Sequence, residues 1–177
     1  MAGRQHSDTI AAIATPPGVG GIGIIRISGP AARFILEAVF TPFRPGTSLK
    51  SHQLRYGTVS RADGTLLDEV LAVYMQAPHT YTREDVVELQ SHGSYLVLNA
   101  ILGEVLRQGA RPAEPGEFTK RAFLAGRIDL TRAEAIIDLL QAKTAAGTEL
   151  AAGQLQGRLF ERVEEIRQAL VAVLAGL

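Results

Sequence analysis

The sequence predicts an α+β domain, a mixed β-sheet with packed helices, followed by an α-helical segment. Three observations carry this reading. Up to about Gly109, β-branched runs alternate with helical apolar patterns. From Pro115 onward no strand signal remains, and apolar residues recur at steps of three and four. A hydrophobic content of 46% with 20% charged residues over 177 positions suits a chain with a real core.

The elements follow in order. Residues 10–15 and 22–28 are strand-like, the second strongly β-branched. Pro30 then opens a helical run, AARFILEAVF. Residues 54–61 and 66–75 flank Ala62-Asp63-Gly64-Thr65, and an Asp-Gly turn between two such runs predicts a β-hairpin. Residues 85–90, DVVELQ, predict a short buried strand opened by Glu84 and Asp85. After Ser91-His92-Gly93-Ser94, residues 94–107 predict a helix that Gly109 and Pro112 stop. Residues 116–125 predict a short helix with Gly126 just past its end. Thr131-Arg132-Ala133-Glu134 matches a capping box, with Ala133, Ile136, Ile137 and Leu140 as one apolar face behind it. A single longer helix is expected to carry Leu155, Leu159, Val163, Ile166, Leu170, Val173 and Leu177. Its stripe still runs at Leu177, which points to a fragment whose helical part continues elsewhere; a helix that dimerises as it stands is the other reading.

Composition excludes several functions. Basic and acidic residues balance at 18 each, so no global positive field gathers nucleic acid. With no cysteine, neither disulfides nor thiolate chemistry is available. His6, His52 and His79 lack metal-ligand spacing, and neither a signal peptide nor a membrane-spanning run is evident. A cytoplasmic location is the default expectation, with no membrane partner.

The stretch TPPGVGGIGIIRISGP satisfies the letter of the dinucleotide pattern G-x-G-x-x-G. That fingerprint needs a strand before the glycines and a helix directly after, because the helix N-terminus meets the pyrophosphate. Here Pro16-Pro17 precede them and a strand follows. The glycines are therefore read as permitting a tight turn, close backbone packing or positive φ. Arg26 lies inside the strand that follows and shares a face with Ile24 and Ser28. It is either an arginine on a half-exposed sheet face or an anchor for a carboxylate or carbonyl. Glu88, between Val87 and Leu89, needs a cation or donors if buried. It either pairs with Arg26 or faces the amino-imine edge of a heterocycle. His92 has no evident titratable partner and is read as a turn residue. Lys120 and Arg121, interleaved with acids on a short helix, read as a solvated face; Arg127, after Gly126, is the better candidate at a helix junction.

Together DTIAAIATPPGVGGIGIIRISG, EDVVELQSHG, RPAEPGEFTKRAFLAGRIDLTRAEAIIDLL and the terminal helix resemble the MnmE family, also called TrmE, of tRNA-modification GTPases. The resemblance implies an N-terminal domain, residues 1–120, related in fold to tetrahydrofolate-binding aminomethyltransferase domains. It implies the first helices of a helical domain over residues 121–177. Members of the family dimerise through the N-terminal domain and bind formyl- or methylene-tetrahydrofolate. With the FAD protein MnmG, or GidA, they modify the wobble uridine (U34) of certain tRNAs, driven by a potassium- and magnesium-dependent GTP hydrolysis. Carried over by motif, the folate-contacting positions are Arg26, Glu88 and Arg127, the last where lysine is common in relatives. Val19 stands where relatives often have a basic residue. This chain has no G-x-x-x-x-G-K-[ST] and no Asn-Lys-x-Asp, so by itself it is not expected to hydrolyse GTP, and no catalytic or metal-binding residue is assigned. Three readings compete: an assembly module without autonomous ligand binding, a one-carbon transferase, and nicotinamide binding at the glycine loop.

Overall fold

The computed structural model describes residues 8–46 and 49–175, so the expectations placed on His6 and Leu177 lie outside the described residues. It divides into two compact units, 1–121 and 122–177, each described by itself. The strands are β1 (Ile10–Ile13), β2 (Gly20–Ser28), β3 (Phe40–Pro42), β4 (Gln53–Ser60), β5 (Leu66–Met75), β6 (Val86–Gly93) and β7 (Arg111–Pro112). The helices are α1 (Ala32–Val39), α2 (Tyr95–Arg107), α3 (Glu117–Leu124), α4 (Leu130–Gln141), α5 (Ala145–Leu155) and α6 (Arg158–Ala175).

In the first unit the strands form one sheet in the order β3-β4-β5-β6-β2-β1-β7. Neighbours are antiparallel except β1 and β7, which pair in parallel and make the sheet mixed. Period-two alternation divides it. Ile25, Ile27, Ala72, Val87 and Leu89 point into a core closed by Ile35 and Leu36 of α1 and Ile101 and Val105 of α2. Ile24, Arg26 and Glu88 occupy the opposite face, less deeply covered. Burying Leu89 fully, at about 25 cal/mol per Å², contributes roughly 2 kcal/mol. The Asp-Gly turn joins β4 to β5 as expected: Gly64 takes φ +84° and the Asp63 carboxylate accepts from the Thr65 amide at 2.9 Å.

The glycine loop differs from its expected form, because β2 begins at Gly20 and so takes in Gly20, Gly21 and Gly23. Gly20 lies opposite Gly93, where a Cβ on Gly93 would stand 2.5 Å from the Gly20 carbonyl oxygen. The two backbones approach too closely for any side chain there. Gly93 thereby belongs to β6, which runs three residues past Gln90, and His92 is a strand residue rather than a turn residue. Glu84 and Asp85 precede β6 instead of opening it. The short strands β3 and β7 escape a pattern reading because three and two residues, each with a proline, carry no periodicity.

The second unit corrects three expectations. Asp129, not Thr131, caps α4: its carboxylate accepts from the Arg132 amide at 2.9 Å and from the Thr131 hydroxyl at 2.6 Å. The face of Ala133, Ile136, Ile137 and Leu140 is not the buried one, since α4 and α5 pack with Ala135 and Ala151 buried, and Ile137 and Leu140 stay exposed. Nor is there one long helix: α5 ends at Leu155, and α6 starts after Gly157 at φ +93°. A Cβ at Gly157 would lie 2.1 Å from the Arg132 guanidinium, which donates to the Gln156 carbonyl at 3.3 Å. No helix among the described residues is long and apolar enough to cross a membrane.

Candidate functional site

The β2–β6 register places Arg26 directly opposite Glu88. Arg26 Nε and Nη2 donate at 2.9 and 2.7 Å, and both bonds converge on Glu88 Oε1. The side chains keep 32% and 18% of their exposure, so the pair is shielded yet reachable. A carboxylate offers about four lone-pair sites. Because Arg26 uses Oε1 only, Oε2 stands outside the pair. Two aromatic rings flank the Arg26 guanidinium: the centroids of Tyr81 and Phe118 lie 5.9 and 5.7 Å from its central carbon. The chemistry on offer is an acceptor oxygen held by a fixed cation, next to π-faces. It suits a flat heterocycle with N–H donors along one edge.

Arg127 falls in the second unit, exposed on the turn after α3, where its amide donates to the Ala122 carbonyl at 2.9 Å. Of the positions picked from sequence, the structure thus joins Arg26 to Glu88 and places Arg127 within the other unit. His92 has a partner after all: its Nδ1 lies 2.8 Å from Asp68 Oδ1, and its backbone amide donates to Asp68 Oδ2 at 2.8 Å. The two residues are far apart in sequence, so only strand pairing reveals the contact. Among the described residues no three His, Cys, Asp or Glu side chains group as a metal site.

Sequence reasoning also misplaced Arg121. Far from facing solvent, its side chain is 1% exposed, the most buried guanidinium among the described residues that form ion pairs. It donates to Glu84 at 3.1 and 3.2 Å, to Asp8 Oδ1 at 3.0 Å, to the Asp8 carbonyl at 3.0 Å and to Glu117 at 3.1 Å. Three carboxylates around one cation answer the cost of burying it. Arg111 bonds Glu117 as well, at 2.8 Å to Oε2, and that hydrogen bond holds the Glu117 carboxyl at about 2 against the opposing effect of burial. Glu84 in turn accepts from Ser28 Oγ at 2.7 Å, and Ser28 is two residues along β2 from Arg26. Helical spacing alone could not separate Arg121 from Lys120. A signal was present in Glu117, one turn from Arg121 on the same helix, yet the other two carboxylates, Asp8 and Glu84, come from segments remote in sequence.

Residues 9–127 match the family described as GTP-binding protein TrmE N-terminus. Among curated relatives, the tRNA modification GTPase MnmE of Desulfotalea psychrophila is 57% identical over 169 residues, covering 96% of this chain and 36% of the relative. The proteins of the same name from Chloroflexus aurantiacus and Heliobacterium modesticaldum are 54% and 53% identical, each over 96% of this chain and 37% of the relative. The chain therefore spans little more than a third of the length of the curated relatives it matches. With the family match extending over more than half of its residues, the chain belongs to the TrmE N-terminus family.

Proposed function

We propose that this chain is the folate-binding part of a tRNA-modification GTPase. The observation that carries the reading is the Arg26–Glu88 pair, in which the second carboxylate oxygen remains outside the ion pair while Tyr81 and Phe118 flank the guanidinium. A pterin fits such residues: its amino-imine edge donates to Glu88, and its ring lies against aromatic faces. Arg26, and Arg127 where the intact protein brings it to the ligand, serve the polar or anionic groups. The bound group is a formyl- or methylene-tetrahydrofolate, which supplies a one-carbon unit. The fold is related on this reading to the tetrahydrofolate-binding domains of aminomethyltransferases.

Within the longer protein implied by the relatives, the domain works as a homodimer in the cytoplasm. With MnmG it takes part in carboxymethylaminomethyl modification of U34 in tRNA. GTP, magnesium and potassium act in a G domain outside this sequence. Calorimetric titration of the chain with formyl-tetrahydrofolate tests the binding role. We expect saturable heat and at least about tenfold weaker binding for Glu88→Ala, the loss of a charge-assisted hydrogen bond. A folded chain that gives no heat, or an affinity unchanged by Glu88→Ala, overturns the site.

A second reading, an assembly module without binding of its own, draws on the open strand faces. Ile22, Leu54 and Tyr56 are each more than half exposed, and Leu71 is 39% exposed. Tight sedimentation as a dimer, with no folate heat in the full-length protein, favours it.

A further inference from the structure

We propose that Arg121 is a positioning residue for Arg26, setting the aromatic surroundings of the guanidinium from the opposite end of a chain of polar contacts. The consequence for ligand affinity rests on the folate reading above; the positioning itself does not.

Two segments remote in sequence carry the rings beside Arg26. Tyr81 belongs to the irregular segment 77–85 between β5 and β6, and Phe118 to the first turn of α3. Neither segment is held there by a core of its own: the large apolar cluster is built from β-strands, α1 and α2, and includes neither ring. Polar contacts hold them instead. Within 77–85, Thr80 Oγ1 donates to the Glu84 carbonyl at 2.6 Å, and Thr82 Oγ1 meets Ser28 Oγ at 2.7 Å. Glu84 ties the segment to β2 through Ser28 Oγ at 2.7 Å and to α3 through Arg121. Arg121 also anchors α3 to Asp8, two residues before β1, and it bonds Glu117 one turn back on its own helix. A direct link closes the loop, because the Tyr81 and Thr119 hydroxyls share a hydrogen bond of 2.9 Å.

The geometry makes Arg121 the common node. One planar guanidinium reaches the segment bearing Tyr81 and the helix bearing Phe118, and it is nearly fully buried. Its fork fixes direction as well as charge, which an ammonium cannot do. If the node is removed, the Tyr81–Thr119 bond is left to link α3 to the 77–85 segment, and the placement of the rings about Arg26 shifts. Arg26 keeps Glu88, since that pair rests on the β2–β6 ladder. The variant should therefore change what surrounds Arg26 without breaking its ion pair.

The experiment uses the full chain with labelled arginine, following the Arg26 Nε–Hε resonance, which is identified by its disappearance in Arg26→Lys. Aromatic rings near a guanidinium displace this resonance, so it reports their placement directly. In Arg121→Met we expect it to move, while the backbone amides of Ile25, Ile27, Val87 and Leu89 hold their positions. Tyr81→Phe, which removes the hydroxyl bonded to Thr119, should move it less and in the same direction. Arg121→Lys should restore little. Formyl-tetrahydrofolate affinity should fall about tenfold in Arg121→Met.

A merely structural role would disturb the sheet amides and leave the Arg26 signal where it was; that result overturns the proposal. If Arg121→Met does not fold, Arg121→Lys decides, and an unmoved Arg26 resonance there overturns the proposal as well. A displaced resonance with unchanged folate affinity upholds the positioning and counts against the folate reading.

Discussion

Leu89 and Leu170 are the same side chain in two settings. Leu89 lies on a central strand of the first unit with none of its surface exposed, packed in a cluster that spans both helices and most of the sheet. Leu170 lies on α6 of the second unit and is 60% exposed, as are most of the apolar residues around it. The difference is architectural. A sheet with helices on one face encloses residues from many strands at once. Helices that meet through alanines bury little, and α6 has no buried residue at all. Charges follow the same division. The first unit buries Arg121 among three carboxylates, whereas α6 carries Arg162–Glu165 and Arg167–Glu164 as exposed pairs that water screens. High apolar content therefore means a core in one unit and an open surface in the other.

The sharpest way to break this comparison is to truncate both leucines. Leu89→Ala should lose about 2–5 kcal/mol in urea denaturation, because it leaves a cavity in a packed core. Leu170→Ala should change stability by less than about 0.5 kcal/mol. Similar losses would mean that α6 is covered in the folded chain.

A smaller effect comes from acid. Glu117 has its carboxyl held at about 2, below the ordinary 4.5, chiefly by the hydrogen bond from Arg111. Its ionised form is favoured in the folded state, so its contribution is fully present above the unfolded value. It is lost as pH falls from about 4.5 through about 2, by roughly 3 kcal/mol in all. Denaturant midpoints across that window should fall more steeply for the native chain than for Glu117→Gln. Equal slopes would remove Glu117 from the account.

The smallest effect lies in the second unit. Asp129→Ala removes the cap of α4 and should lower stability by about 1 kcal/mol, visible as reduced helical ellipticity on heating. Thr131→Ala should do less, since Thr131 donates to the cap rather than acting as one. The reverse order would restore the capping box.

Much of the first unit was legible because its elements are long and locally consistent. The β-branched run at 22–28, the Asp-Gly hairpin and the helix over 94–107 each carry their period in adjacent residues. The pairing of Arg26 with Glu88 was open to inference, since a carboxylate between two apolar strand residues demands a cation. The burial of Arg121 was not, because α3 shows mixed charge at helical spacing whichever face it turns inward. The end of α5 escaped for a related reason: the apolar stripe passes through Gly157 without a break in register, while the backbone does not.

By itself the sequence determined the longer strands and helices of the first unit, where the hairpin turns, and which residue types were present to bind. Those follow from local periodicity and from the conformations that glycine, proline and aspartate favour. Tertiary structure alone decided that Gly20 and Gly93 touch, that His92 meets Asp68, and that one guanidinium gathers Asp8, Glu84 and Glu117. Apart from Glu117, which lies one helical turn from Arg121, these contacts depend on tertiary arrangement, which brings together residues 24 to 113 positions apart. A contact at that separation leaves no period in the local pattern.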